Sequence, residues 1–381
     1  LISKRLKRGE LNAAFISDIH VGHPRVPTVN IVEGLYKAFP NNKETSELDV
    51  IFIAGDFFDR NLYLSFNGVG EIQIFIRYLL QLCEKHNIVL RLLEGTPSHD
   101  WKQGCMFTQI HELLESRCDF RWVENLSIEY IESLDINVLY VPDEWEHDPN
   151  DTWKQVKGLL HDQGLKKVDF SVMHGLFEFQ IPQHINISHH LSDRYLGITE
   201  YFIDIGHHHT QRSHKLSKYD SMVLVNGSFD RLCHGEEGAK GHYRVKIHAD
   251  APNDIIFVEN DLATKFITVN CLDLSLADTL DVLKERLEKL RGGSHVRIIA
   301  RAGSEVATAK RELEMMWETM KWTINREAAE DMVNDSKMEL VTKYQTVDIT
   351  KESVKRLLEG RLEHIDAPKR QEMLSLLDGV L

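Results

Sequence analysis

The stretch LDVIFIAGDFFDR, residues 48–60, is an apolar run from Val50 to Ala54 that closes abruptly on Gly55, Asp56, Asp59 and Arg60. A run of four to eight residues rich in Val, Ile, Leu and Phe reads as a buried strand. The same event recurs along the chain. LNAAFIS (11–17) leads into Asp18-Ile19-His20, and IVLRLLEG (88–95) into Thr96-Pro97-Ser98-His99-Asp100. VDFSVM (168–173) leads into His174-Gly175, YFIDIG (201–206) into His207-His208-His209, and SMVLV (221–225) into Asn226-Gly227-Ser228. Between some of these runs lie helical patterns. GEIQIFIRYLLQLCEKHN (70–87) places Ile72, Phe75, Ile76, Leu79 and Cys83 on one face. Strands alternating with helices imply a layered α/β core, in which chemistry gathers beyond the carboxyl ends of the strands. Every polar cluster named above lies at such an end.

The bulk numbers set the bounds. A chain of 381 residues has room for two or three domains, each with its own core. An apolar fraction of 42% and a charged fraction of 27% are those of a soluble globular protein. No window approaches the run of about 18 apolar residues that a membrane helix needs. The opening LISKRLKRGE has no apolar core of a secretory signal, so a cytoplasmic location is expected. Five scattered cysteines without a CxxC pair indicate reduced usage and exclude a cysteine-type zinc site. A net charge of -14 argues against a uniformly basic nucleic-acid glove. It leaves room for a local basic groove, or for bound cations that supply the positive charge a phosphate requires.

Taken singly, Asp18 reads as a turn residue, Asp56 as a cap and His174 as a satisfied core histidine. Taken together, strand ends offering Asp, His, Asp, His and His form a coordination shell. Carboxylate and imidazole without thiolate suit Mn, Fe or Zn. Asp-x-His can turn both side chains toward one ion. Asp56 can bridge two ions about 3.5 to 4 Å apart, one oxygen to each. Two ions that close activate a water and neutralise charge on a phosphorane-like transition state, which is the chemistry of phosphate-ester cleavage.

In this order, Asp18-x-His20, Gly55-Asp56-x-x-Asp59, a Gly-(x)-His-Asp loop, His174-Gly175 and Gly206-His207-x-His209 resemble the calcineurin-like metallophosphoesterases over roughly residues 11 to 250. The resemblance implies a four-layer sandwich, two mixed sheets flanked by helices. It implies that Asp18, His20, Asp56 and His209 hold one ion, and Asp56, His174 and His207 the other. His99 would act as general acid toward the leaving oxygen or stabilise the phosphate, with Asp59 orienting it. Arg60 would help clamp phosphate. One loop departs from the family, which reads Gly-Asn-His-Asp or Gly-Asn-His-Glu and uses the Asn amide oxygen as a ligand of the second ion. Here Gly95-Thr96-Pro97-Ser98-His99-Asp100 is two residues longer and has no Asn. Ser98 is the nearest substitute ligand, with Thr96 or a backbone carbonyl as alternatives, and the second ion is expected to bind less tightly.

The segments beyond the core narrow the reading. VNGSFDRLCHGEEGAKGHYRV (225–245) is similar to the Gly-Ser … Arg … Glu … Lys-Gly stretch of SbcD-type DNA repair nucleases. The resemblance implies a nuclease core over 1–262, then a small α/β capping domain over 263–328 in the order β-α-β-α-β. A linker over 329–349 and a helix-loop-helix tail over 350–381 would complete the chain. In the tail, Val354, Leu357, Leu358, Leu362 and Ile365 line one helical face, and Met373, Leu374, Leu376, Leu377 and Val380 lie in a second. A hairpin that small must dock, and the family docks it on the coiled coil of an SbcC-type ATPase. The expected activity is a DNA exonuclease, with endonuclease action at ends or hairpins, in DNA repair and recombination. Two divalent ions are expected, Mn2+ first and Mg2+, Fe2+ or Zn2+ as alternatives. DNA and the ATPase are the expected partners, a C2 homodimer the expected assembly, and no membrane is involved. Arg212, Lys215 and Lys218 are candidate phosphate contacts, or a solvated loop. Two other readings stand beside this one: a phosphomonoesterase or small-molecule phosphodiesterase on the same core, and a non-enzymatic scaffold.

Overall fold

Alternation along each strand decides which layer its side chains enter. The computed structural model describes residues 9–327 except 183, 184, 186 and 237. The strands are β1 Glu10–Ile16, β2 Val50–Ala54, β3 Val89–Leu93, β4 Phe120–Val123, β5 Ser127–Ile131, β6 Ile136–Val141, β7 Val168–His174 and β8 Thr199–Gly206. They continue with β9 Arg212–His214, β10 Met222–Val225, β11 Gly241–His248, β12 Asp254–Glu259, β13 Phe266–Asn270, β14 His295–Arg301 and β15 Lys321–Glu327. One six-stranded sheet has the order β12-β11-β1-β2-β3-β4, the other β5-β6-β7-β8-β10-β9. Both are mixed. In the first, β1 to β4 pair in parallel while β11 runs antiparallel to β1 and β12. In the second, β6, β7, β8 and β10 are parallel and the edges β5 and β9 antiparallel.

Ala13, Phe15, Val50 and Phe52 of the first sheet meet Val138, Tyr140, Phe170 and Val172 of the second in one apolar layer. The alternate residues Ala14, Ile16, Ile51 and Ile53 instead meet Ile31 and Leu35 of the helix Thr28–Ala38, and Ile72, Phe75, Ile76 and Leu79 of Val69–His86. On the outer face of the second sheet, Leu139, Val141, Ile203 and Ile205 pack on Val156 and Leu160 of the helix Pro149–Asp162. The result is helix, sheet, sheet, helix: the metallophosphoesterase-type sandwich expected from sequence. Strands buried on both faces read as unbroken apolar runs, which is why β2, β3 and β7 were legible.

The third sheet has the order β13-β14-β15, with the helix Leu276–Leu287 before β14 and Glu305–Thr308 and Lys310–Met316 before β15. By contacts the chain divides into two compact units. Among the described residues one comprises 9–269, Leu280–Ile298 and Lys310–Thr323, the other Asn270–Thr279, Ile299–Ala309 and 324–327. Both sandwich sheets belong to the first unit. Within the second, Cys271 N–H donates to Ile299 O at 2.8 Å and Arg301 pairs with Asp273 at 2.9 Å. The linker and helical tail expected over 329–381 lie outside the described residues. Among the described residues no helix is long and apolar enough to cross a membrane.

One buried group gives the core a pH signature. His242 on β11 is 1% exposed, lies beside the Phe39 ring and sits 3.3 Å from Arg244 Nε through Nε2. Burial, then the charge of Arg244, pushes its imidazole down to about 3. The unfolded chain takes up that proton near pH 6.5 and the folded chain does not, so stability falls as pH drops from about 6.5 toward 3. Between pH 7 and pH 5 the wild type should lose about 2 kcal/mol more than His242→Gln in urea unfolding. An equal loss in both would show that His242 is not the group responsible.

Candidate metal centre

The parallel strands of both sheets deliver their carboxyl ends to one rim of the sandwich. β1 delivers Asp18 and His20, β2 delivers Asp56, β7 ends on His174, and β8 leads into His207 and His209. Two hydrogen bonds tie the sheets together there. His174 Nδ1–H donates to Ala54 O at 2.6 Å, and His207 N–H donates to Asp18 Oδ1 at 2.9 Å. The approach of the sheets is close enough to demand glycine: a Cβ on Gly55 would collide with the His174 ring, and one on Gly206 would reach Ala54 O. Asp18, His20, Asp56 and His207 all hold positive φ, at 50, 53, 50 and 87°. Non-glycine residues hold such conformations only where their surroundings impose them, and they concentrate at functional sites.

Two clusters result. In the first, His20 Nε2 lies 3.2 Å from His209 Nε2 and 3.7 Å from Asp56 Oδ2, and His209 Nε2 lies 3.7 Å from Asp18 Oδ1. In the second, His174 Nε2 lies 3.3 Å from Asp56 Oδ2, and His207 is adjacent. Asp56 belongs to both through one oxygen. Its Oδ2 faces the two sides, while Oδ1 accepts Thr96 N–H at 2.6 Å. His174 and Asp56 are buried, His209 and His207 about one-third exposed at their side chains, so the rim opens to solvent on one side.

Each donor atom is aimed by a partner behind it. His209 Nδ1 lies 3.2 Å from Glu236 Oε1, and Glu236 Oε2 pairs with buried Lys240 at 2.7 Å. Lys240 Nζ also donates to His209 O at 2.9 Å and Ser228 Oγ at 2.6 Å. The Gly-Ser … Glu … Lys-Gly stretch therefore acts by holding His209. Behind Asp18, Ser17 Oγ–H donates to Oδ2 at 2.5 Å, and Asn226 donates to the buried Asp204. Asp100 accepts the N–H groups of Gly95 at 2.7 Å, Phe58 at 2.9 Å and Asp56 at 3.1 Å, tying the β2 and β3 loops together.

The charges match these contacts. Burial alone would lower the imidazole of His174, but the Asp56, Asp18 and Asp143 carboxylates outweigh it and raise it well above the usual range. Burial likewise opposes ionisation of Asp56, and the surrounding histidines hold it well below the usual carboxylate range. Carboxylates and imidazoles converging at 3.2 to 3.7 Å, with no thiolate, are a donor set fitted to divalent cations of the Mn, Fe or Zn kind.

The remaining expected residues divide. His99 stands beside the first cluster, its ring 4.9 Å from that of His20. Its Nδ1 lies 2.8 Å from the backbone carbonyl of Asp59, and the ring stands close enough to His20 and Asp56 for the three to offer ligand atoms within 4.8 Å of one another. The Asp59 carboxylate does not orient His99. It lies 3.3 Å from His20 Nδ1 and 4.0 Å from His23, because the chain after Asp56 turns its carbonyl, not its side chain, to the β3 loop. Arg60 sits at the edge, its Nε 3.5 Å from Asp59 Oδ2 in an ion pair and its Nη2 buried without a hydrogen-bond acceptor among the described residues. It lines a cleft of about 490 Å3 with His23, Thr28, Asn67 and Lys321. Ser98 does not join the centre. It is exposed in the helical turn Pro97–Asp100, and its carbonyl accepts Trp101 Nε1–H. Thr96 is the loop residue that faces inward, its Oγ1 3.3 Å from Asp56 Oδ2. Of the basic candidates, Arg212 lies over the Phe179 ring at 4.9 Å, Lys218 pairs with Asp193 at 2.5 Å, and Lys215 is exposed.

Sequence reasoning passed over Asp143. It comes just after β6, whose run INVLYV (136–141) is as apolar as the others and closes on Pro142-Asp143. Its Oδ2 lies 3.1 Å from His207 Nδ1.

No family model matches the chain, and no curated protein matches it in sequence. Solved structures similar in shape include TT1561 of Thermus thermophilus, at 11% identity and a TM-score of 0.37, covering 65% of this chain and 98% of that one. Wild-type Vps29 complexed with zinc, from Entamoeba histolytica, is similar at 9% identity and a TM-score of 0.27, covering 66% and 100%. At such values neither likeness bears on substrate or residue roles, and the geometry of the centre itself carries the reading.

That geometry makes one prediction. Glu236→Gln removes the charge behind His209 while keeping its shape, and should weaken one Mn2+ site by about ten-fold in calorimetric titration. Unchanged affinity would show that Glu236 serves the fold and not the centre.

Proposed function

We propose that this protein is a two-metal phosphodiesterase acting on DNA, an SbcD-type nuclease subunit. The observation that carries the hydrolytic part is the pair of ligand clusters sharing Asp56 Oδ2 at an open rim. Divalent ions held there would supply an activated water and Lewis acidity toward a phosphoryl oxygen. The chain's own residues do the rest. His99, fixed through Nδ1 by the Asp59 carbonyl, presents Nε2 to give a proton to the leaving oxygen. Arg60, its Nε beside the Asp59 carboxylate and its Nη2 without an acceptor, pairs with a phosphate oxygen. The strained backbone at four ligand positions supports a working site over a retained scaffold.

The step to DNA rests on sequence: the Gly-Ser … Glu … Lys-Gly stretch, the β-α-β-α-β segment proposed as a capping domain over 263–328, and the tail over 350–381. In this reading Mn2+ is the working metal, the tail grips an SbcC-type ATPase, and the subunit acts as a homodimer. A small-molecule phosphodiesterase is the second reading. It is favoured by a cleft of about 500 Å3 beside His207, whose Glu144 and Glu146 disfavour a polyanion on that side.

Mn2+-dependent cleavage of end-labelled linear DNA and of bis(p-nitrophenyl) phosphate, with and without the ATPase, separates these readings. Wild type should cleave DNA, and His99→Ala should be slower by about 100-fold or more while still binding metal. Hydrolysis of the small ester with DNA left intact would replace the nuclease by the second reading. No hydrolysis with any metal or partner would overturn both. Deleting residues 350–381 should abolish co-sedimentation with the ATPase and spare metal binding. Association that survives the deletion would contradict the role given to the tail.

A further inference from the structure

Resting on the two-metal reading, we propose that Asp143 is a ligand of the second ion, with Thr96 Oγ1 completing the same shell. Together they would take the place of the Asn that the β3 loop lacks. Strand β6 pairs in parallel with β7, so its end emerges beside His174. Asp143 stands there with its side chain about 10% exposed, and its Oδ1 accepts Glu144 N–H at 3.0 Å. Among the described residues no lysine or arginine pairs with it.

The distances carry the assignment. Donor atoms sharing one ion at about 2.1 Å lie about 3.0 Å apart at octahedral angles and about 3.4 Å apart at tetrahedral ones. Asp143 Oδ2 is 3.1 Å from His207 Nδ1 and 3.1 Å from Thr96 Oγ1. Thr96 Oγ1 is 3.3 Å from Asp56 Oδ2 and 3.4 Å from both His174 Nε2 and His207 Nδ1. His174 Nε2 is 3.3 Å from Asp56 Oδ2. Six contacts among five atoms from five strand ends thus fall at 3.1 to 3.4 Å, the spacing of neighbours in one coordination shell.

A hydrogen-bond network alone explains this less well. One hydroxyl proton can satisfy only one of the acceptors around Thr96, which leaves its other contacts at 3.1 to 3.4 Å without a donated hydrogen bond from it. The consequence reverses the expectation of a weakened second site. An extra carboxylate in place of a neutral amide gives this site two negative ligands, which strengthens its hold on a hard divalent cation.

Titration of the full chain with Mn2+ alone, counting bound ions from the electron paramagnetic resonance signal of free Mn2+, tests the assignment. Wild type should bind two ions per chain. Asp143→Ala should keep the first at wild-type affinity and lose the second, while Asp143→Asn should keep the second at least ten-fold more weakly. An Asp143→Ala protein that binds both ions as tightly as wild type would overturn the proposal. If Asp143→Ala binds neither ion, Asp143→Asn decides: an unweakened second ion overturns the assignment, a ten-fold weaker one supports it. Wild type that binds fewer than two ions would overturn the two-metal reading itself, and this assignment with it.

Discussion

The carbonyl of Ala54 accepts the Nδ1–H of His174 at 2.6 Å, and everything at the rim depends on that contact between two sheets. It fixes the tautomer, so that Nε2 of a fully buried histidine points at the Asp56 oxygen and not into the core. It also sets how near the ends of β2 and β7 stand. Glycine at 55 and 206 is the condition for that nearness, since a methyl group at 55 would collide with the His174 ring and one at 206 with Ala54 O. The centre is therefore a property of the sandwich itself: two parallel sets of strands, opening toward the same edge, with the side chains removed where they would collide.

Concentrating Asp18, Asp56, Asp143 and four histidines within one rim is unfavourable without compensation. Three features supply part of it. Backbone N–H groups point at the carboxylates of Asp18, Asp56 and Asp100, buried hydroxyl and amide groups lie beneath Asp18, and the Glu236–Lys240 pair sits behind His209. What remains is an excess of negative charge at the mouth. The overall charge of -14 points the same way, and cations are the natural complement of both.

Much of this was legible beforehand. Runs of Val, Ile, Leu and Phe buried on both faces announce themselves, and an Asp or His just past such a run stands at a strand end. Two of the three departures share a cause: counting along the chain does not report rotation about it. Ser98 precedes His99 and was the nearest substitute for an amide, yet the helical turn Pro97–Asp100 carries it outward and leaves Thr96 inward. Asp59 sits three residues past Asp56 as expected, yet it meets His99 through its carbonyl. Asp143 was hidden differently. Pro142-Asp143-Glu144 reads as a turn, and the resemblance that organised the other ligands assigns nothing to the end of β6. The tail lies outside the described residues, so its docking is argued from the sequence pattern alone.

The central claim is that one oxygen of Asp56 sits between two metal sites. Anomalous diffraction from crystals of the full chain grown with Mn2+ tests it most directly. The account predicts two anomalous peaks flanking Asp56 Oδ2, one among Asp18, His20 and His209, the other among His174, His207, Asp143 and Thr96. A single peak, or two peaks that do not share Asp56, would contradict it.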